Sequence, residues 1–248
     1  MTIRVLINGA DGKMGQQAVK ALTHAEGLSV AGQAGRKDDL SAIIAQIKPD
    51  VVLDLTTASA VFQNASQIIQ AGVRPVIGTS GLLANQIQLL TAQSLEKKLG
   101  GLIVPNFSVG AVLAMKYAQD CARYFSDVEI IESHHPQKAD APSGTAIRTA
   151  EMIEAARQKM LTPTFSKETL SGARGANYKN VPIHAIRLPG ILARQTVMFG
   201  GSGELLTIQH EISDRESYMA GICLACREVM HLNTLFCGLE HVLFTISK

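Results

Sequence analysis

The chain has no charge of one sign to spare. Its 23 Lys and Arg are nearly matched by 21 Asp and Glu, for a formal net charge of +2 over 248 residues, and neither sign gathers into a stripe or tail. Nucleic-acid binding calls for a basic face or block, so electrostatics supply no case for it and a small-molecule partner is the better expectation. No apolar run approaches the roughly 18 residues of a membrane-spanning helix. The opening MTIRVLING runs straight into strand-like residues, without the basic start, apolar middle and cleavage site of a secretory leader. These absences point to a cytoplasmic protein without membrane or nucleic-acid partners. Four cysteines, Cys121, Cys223, Cys226 and Cys237, do not make a disulfide framework in a chain of this size. The Cys223/Cys226 spacing invites a metal or redox reading, with His231 and Cys237 as further ligands. Both cysteines lie, however, in MAGICLACREVMHLNTLFCGLEHVL, where apolar residues recur at helical spacing and a buried free thiol is common. The core reading is preferred and no metal is expected. Internal repeats and low-complexity tracts are missing as well.

What is present is enough apolar residue, 46% of the chain, to fill one or two cores. Over the first hundred residues short β-branched runs alternate with longer helical patterns. The strand candidates are Ile3–Asn8, Leu28–Gly32, Val51–Leu55, Pro75–Thr79 and Gly101–Pro105, with crossover helices such as Ala58–Ala71 and Leu82–Leu99 between them. That alternation predicts a parallel sheet with helices on both faces, the doubly wound nucleotide-binding pattern. After Asn106 the pattern changes. A helix over Val109–Tyr124, a strand VEIIES and a helix over Gly144–Met160 lead through the polar loop KETLSGARGANYKN to the strands PIHAIRL, ILARQTVMF and ELLTIQHEI, which predict an open, mostly antiparallel sheet. The fold class expected is therefore α/β, with a Rossmann-like parallel-sheet domain (residues 1–108 and 216–248) and a smaller α+β domain with an open mixed sheet (residues 109–215). The final helices have no sheet of their own to cover and are expected on the first domain.

The first strand delivers the chain into NGADGKMG, with Gly9, Gly12 and Gly15 at the turn and a helix beginning near Lys13. Glycines allow a sharp turn and close approach to a pyrophosphate, and a helix N-terminus offers amides and a favourable dipole. The spacing is G-x-x-G-x-x-G, weak evidence alone; its place between first strand and first helix makes it a dinucleotide site. At the end of the second strand an acid favours a bare ribose 2′-hydroxyl and a base a 2′-phosphate. Here Gly35, Arg36 and Lys37 occupy that end, and no acid precedes Asp38, so a 2′-phosphate is expected to meet a guanidinium and no repelling carboxylate. Two more strand ends, GTSG (Gly78–Gly81) and VPNFS (Val104–Ser108), are expected in the same crevice.

The densest chemistry lies in ESHHPQKADAPSGTA, Glu132–Ala146. His134 and His135 at a strand end point to opposite sides and cannot share a job; one can orient a substrate while the other exchanges a proton. Lys138 adds fixed positive charge. Pro142 and Ser143 open a helix whose third residue after the cap is Ala146, not Glu or Gln, so no capping-box carboxylate occupies its amides and an incoming carboxylate can. On this reasoning Ala146→Glu weakens anion binding while hardly touching helix stability. A bare His-His pair without carboxylate or thiolate ligands is a poor metal site.

The run HHPQKADAPSGTA, together with GADGKMG, GTSG, PNFSVG and RLPG in the same order along nearly the whole chain, resembles the dihydrodipicolinate reductase (4-hydroxy-tetrahydrodipicolinate reductase) family of lysine biosynthesis. The first of these motifs is highly specific; the glycine turn is shared with many dehydrogenases. The resemblance implies NAD(P)H-dependent reduction of a cyclic 2,6-dicarboxylate, in the cytoplasm, by a homotetramer built through the second domain's sheet. It implies His134 as proton donor, assisted by Lys138, and dicarboxylate binding by His135, Ser143, Gly144 and Thr145. It implies dinucleotide contacts from Gly9, Ala10, Asp11, Gly12, Lys13 and Met14, from Arg36, from Gly78, Thr79 and Ser80, and from Val104, Pro105, Asn106 and Phe107. Two departures stand out: Gly35 where many members carry an acid, which favours NADPH over NADH, and Ser80 for a commoner threonine. A non-catalytic NAD(P)-sensing module would have no use for His134, Lys138 and the Ser-Gly-Thr cap together, and a reductase of monoacids would need only one anion site.

Overall fold

A computed structural model of the chain describes residues 2–157 and 167–244. Two compact units emerge, one of Met1–Val109 with Arg215–Lys248, the other of Gly110–Asp214.

In the first unit the strands are β1 (Ile3–Asn8), β2 (Leu28–Ala34), β3 (Val51–Asp54), β4 (Arg74–Ile77) and β5 (Gly101–Ile103). Between them run the helices α1 (Lys13–His24), α2 (Leu40–Ile47), α3 (Val61–Gln70) and α4 (Ala84–Glu96). All strand pairings are parallel, in the order β11–β5–β4–β3–β1–β2, where β11 is Leu235–Cys237. Strands covered on both faces carry continuous apolar runs rather than alternation, which is why VVLD reads as it does. On one face Leu6, Val52, Ile77 and Ile103 pack with Leu40 and Ile44 of α2, Ile68 and Ile69 of α3 and Leu90 of α4. The alternate residues Val5, Ile7, Val51 and Leu53 are fully buried on the other. There α7 (Met219–Glu228) packs on β1, β2 and α1, and α8 (Glu240–Leu243) on α7. The C-terminal segment thus joins the first unit, and it brings a short strand that sequence patterning missed: LFC is three residues long and pairs with the equally short β5. Cys226 is buried in α7 and its thiol is pushed up by burial, the behaviour of a core residue. Because β2 and β3 flank β1 on opposite sides, the connections diverge there and open a crevice at the carboxyl ends of β1 and β3.

The second unit holds α5 (Val109–Cys121), β6 (Asp127–His134), α6 (Gly144–Ala156), β7 (Ala176–Tyr178), β8 (Val181–Arg187), β9 (Ala193–Gly201) and β10 (Glu204–Ile212). Its sheet runs β10–β9–β6–β8–β7, with β6 and β8 parallel and the other neighbours antiparallel. The parallel pair follows from α6, the crossover a parallel connection needs. Val128, Ile130, Val197 and Phe199 face Ala118 of α5 and Ala146, Ala150 and Ile153 of α6. The α6 helix expected to reach Met160 ends at Ala156, where Arg157 is extended; residues 158–166 lie outside the described residues. Among the described residues no helix is long and apolar enough to cross a membrane.

Candidate active site

The turn after β1 shows three glycines with three separate duties. Gly9 has φ +88°, and a Cβ on it would lie 2.5 Å from the Leu55 carbonyl oxygen, so only glycine fits where the chain leaving β1 passes close to the chain leaving β3. Gly12 is the N-cap of α1 and brings no side-chain acceptor to the helix, leaving its amide end for an outside anion. Gly15 lets the helix press onto the turn: a Cβ there would stand 2.1 Å from the Gly9 oxygen. Met14 is half-buried, while Asp11, Gly12 and Lys13 are exposed at the mouth. A backbone cradle that any side chain would fill, set against an uncapped helix, fits a dinucleotide pyrophosphate.

At the end of β2, Arg36 and Lys37 are exposed in a turn, but their surroundings differ from expectation. The Asp38 carboxylate turns back to accept the Gly35 amide at 2.7 Å, and a Cβ on Gly35 would lie 2.3 Å from Asp11 Oδ2. Two carboxylates therefore flank the position assumed to be free of them; a tight turn brought Asp38 back against the chain direction.

The crevice floor holds a group that motif reading overlooked. Asp54, the last residue of β3, is fully buried. Its Oδ2 accepts from Asn8 Nδ2 (2.9 Å) and Asn64 Nδ2 (2.8 Å), and its Oδ1 from the Thr56 amide (3.3 Å), Thr56 Oγ1 (2.8 Å) and Thr79 Oγ1 (2.5 Å). The ends of β1, β3 and β4 are tied together through one carboxylate. Of the GTSG residues, Thr79 spends its hydroxyl on Asp54 and the Thr56 amide (2.8 Å), whereas Ser80 is exposed. A Cβ on Gly78 would strike the Phe107 ring at 2.5 Å, so the two strand-end segments pack together. Val104 and Phe107 are themselves buried, leaving backbone rather than side chain to meet a ligand, while Pro105 is exposed and Asn106 Oδ1 accepts the Ser108 amide.

In the second unit β6 ends at His134. Period-two alternation puts Glu132 on the same side of the strand, and His134 Nδ1 lies 2.6 Å from Glu132 Oε2. Glu132 is fully buried and is gripped by Arg187 of β8 through both oxygens at 2.9 Å. Its Oε1 also accepts the Ser143 amide at 3.1 Å. Burial pushes the Glu132 carboxyl up, but the Arg187 and His134 hydrogen bonds outweigh it and hold the carboxyl below the usual range. For His134 burial is the largest influence and favours the neutral ring; Glu132 opposes it, and the net direction is below the ordinary histidine value. Beyond the strand end His135 turns elsewhere, with Nδ1 3.2 Å from Gln137 Oε1. The Lys138 ammonium pairs with Asp140 at 2.7 Å, a partner the spacing did not announce.

The α6 N-terminus is less open than expected. Ser143 Oγ caps the Ala146 amide at 3.2 Å, and Glu132, from a different element, takes the Ser143 amide. An acid does reach this helix end, from β6 rather than from the third helical position. The Gly144 amide and the proton on the Ser143 hydroxyl remain for an anion, with Thr145 beside them. Ala146 is fully buried in the core, so a glutamate there would be forced into apolar packing; the expectation of a harmless Ala146→Glu is corrected. Glu132 was within reach of sequence reasoning, two residues before His134 on one strand face. Arg187 stands 55 residues away, and only the β6–β8 pairing brings it in.

A doubly wound sheet with a glycine turn feeding an uncapped helix, and a mixed-sheet unit presenting imidazole, ammonium and a helix N-terminus, define a two-unit, dinucleotide-dependent reductase. The chain belongs to the dihydrodipicolinate reductase family: the family model for the N-terminus matches residues 3–107 and that for the C-terminus residues 110–243. Over 243 residues, 98% of this chain and 100% of each relative, it is 50% identical to the 4-hydroxy-tetrahydrodipicolinate reductase of Legionella pneumophila and 52% identical to that of Coxiella burnetii. A solved structure of dipicolinate-bound dihydrodipicolinate reductase from Paenisporosarcina is 44% identical and superposes with a TM-score of 0.90, covering 98% of this chain and all of that one.

Proposed function

We propose that the chain catalyses NAD(P)H-dependent reduction of 4-hydroxy-tetrahydrodipicolinate (dihydrodipicolinate) to tetrahydrodipicolinate, a step toward diaminopimelate and lysine. The observation that carries this reading is Glu132 joining the His134 ring to the amide of Ser143, the N-cap of α6, so that a proton donor and an anion-binding helix end share one anchor. The reduced dinucleotide, when bound, supplies the hydride. The residues for holding it are the Gly9–Met14 turn, Arg36, the Gly78–Ser80 segment and the backbone of Val104–Phe107. His134 in its protonated form gives up its Nε2 proton to the substrate, because Nδ1 is occupied by Glu132. Positioned acid catalysis of this kind is worth roughly 10²–10⁴ in rate. One substrate carboxylate lies at the Ser143 hydroxyl and the Gly144 and Thr145 end of α6, where amides and dipole favour an anion. The other is held near His135 and Lys138.

Arg36 and Lys37 support NADPH as the preferred donor, since a guanidinium pairs well with a 2′-phosphate. Asp38 beside Gly35 is a ready acceptor for ribose hydroxyls and supports use of NADH as well. The cytoplasmic homotetramer belongs to the same proposal. Its support is the sheet face opposite α5 and α6, where Glu129, Ile131 and Met198 are only half-buried, and Leu205 of β10, which is 66% exposed. The test is oxidation of NADPH on addition of freshly generated substrate, with pyridine-2,6-dicarboxylate as inhibitor. Competitive inhibition against the substrate is expected; a dicarboxylate that does not compete would remove the α6 site from the account.

A further inference from the structure

Glu132 is the one fully buried carboxylate of the second unit among the described residues, and every atom it offers is engaged. Oε2 faces His134 Nδ1 and Arg187 Nη1; Oε1 faces the Ser143 amide and Arg187 Nη2. Arg187 is fixed from behind, donating to the Asp140 carbonyl oxygen at 2.7 Å and to that of Ile186 at 2.7 Å. The bidentate guanidinium keeps Glu132 ionised, so the carboxylate acts only as an acceptor toward the imidazole.

We infer that Glu132, locked by Arg187, is the positioning residue for proton transfer: it fixes His134 as the Nδ1–H tautomer, leaves Nε2 as the sole exchanging nitrogen, and sets the ring and the α6 N-terminus in one register. The inference rests on His134 being the proton donor. Its chemistry closes without another reactant. The imidazolium loses its Nε2 proton to substrate carbon, the neutral Nδ1–H ring remains, and Glu132 still accepts from that Nδ1–H. No proton passes to the carboxylate. The charged groups facing His134 are Glu132 on its own strand, Arg187 from β8 and Lys138 from the following loop, the last paired with Asp140. Only Glu132 favours the imidazolium; burial and both cations oppose it. Without Glu132 the ring would be a weaker base at neutral pH and free to take either tautomer.

The experiment compares kcat–pH profiles of wild type, Glu132→Gln and His134→Gln, with KM for the dicarboxylate substrate at each pH. A general acid gives a rate that falls as pH rises through its pKa. In Glu132→Gln that falling limb should move to lower pH by about one unit or more, the size of a neighbouring opposite charge, costing about tenfold in kcat above the limb. His134→Gln should lose the limb altogether. If the limb survives in His134→Gln, the proton-donor reading itself is wrong. If it vanishes there but stays unmoved in a folded Glu132→Gln, the donor stands and the positioning role is overturned. Should Glu132→Gln not fold, ¹⁵N spectroscopy of the wild-type imidazole decides, with His134→Gln supplying the assignment: the neutral ring must carry its proton on Nδ1, and an Nε2–H tautomer refutes the inference.

Discussion

Asp54→Asn replaces one oxygen by an NH₂ group of nearly the same shape, and its cost can be worked from the contacts. The carboxylate accepts from Asn8, Asn64, Thr79 and twice from Thr56. With the amide oxygen in the Oδ2 place, the new NH₂ faces the Thr56 amide and two hydroxyls. Both hydroxyls already accept, Thr79 from the Thr56 amide and Thr56 from Asn64, so the Thr56 proton loses its acceptor and the Thr79 proton keeps only the Asp54 carbonyl oxygen at 3.3 Å. With the oxygen in the Oδ1 place, the NH₂ meets the two asparagine NH₂ groups head on. Either way at least one or two donors are left without a good partner at a fully buried site, at about 1–3 kcal/mol for each. Partial rearrangement brings the expected loss to about 3 kcal/mol of first-unit stability, large for a near-isosteric change. Urea unfolding measures it. The same change loosens the loops after β1, β3 and β4, and NADPH affinity should weaken about tenfold; with no tryptophan in the chain, emission of the bound reduced nicotinamide reads this directly. A folded Asp54→Asn protein within about 0.5 kcal/mol of wild type, with unchanged NADPH affinity, would refute the hub reasoning.

His135→Gln should raise KM for the dicarboxylate several-fold while leaving kcat within about twofold, the pattern of lost ground-state binding; a fall in kcat alone would assign it to chemistry. Arg36→Ala should bring kcat/KM for NADPH down to that for NADH, because the contact removed is specific to the 2′-phosphate; a wild type faster with NADH would show that Asp38 dominates the site. Stability should fall on acidification. Both His134 and Glu132 have folded values below their ordinary ones, so the unfolded chain binds more protons and stability is complete only above the unfolded values. The melting temperature should start to drop as pH falls below about 6.5, from His134 together with the half-buried His210, and drop further below about 4.3, from Glu132; a profile flat from pH 7 to 3 would contradict both directions.

The parallel sheet was readable because each strand is an apolar run between helical segments, and Gly9, Gly12 and Gly15 sit where such a sheet needs them. The second unit's main strands were readable from alternation. β11 was not: three residues carry no period, and LFC is a strand only because β5 offers a partner. The chemistry-bearing stretch around His134 stood out in the sequence, but its wiring did not. Arg187, Asn64 and Asn8 act across tens of residues, and no local pattern announces which buried carboxylate they will meet. The openness of the α6 end was misjudged for a related reason. A capping rule looks three residues ahead in the chain, whereas Glu132 reaches the cap from a neighbouring strand. Ala146 likewise looked like a vacant cap position and is packed into the core.

The central claim is that His134 delivers the proton to a dicarboxylate reduced by a bound dinucleotide. The most direct measurement is NADPH oxidation with freshly generated substrate by wild type and His134→Gln, beside NADPH binding to each. Substrate-dependent oxidation by wild type is expected, with a kcat lower by roughly 10²-fold or more in His134→Gln and equal NADPH affinity in the two. Oxidation by His134→Gln at the wild-type rate, or none by wild type, would contradict it.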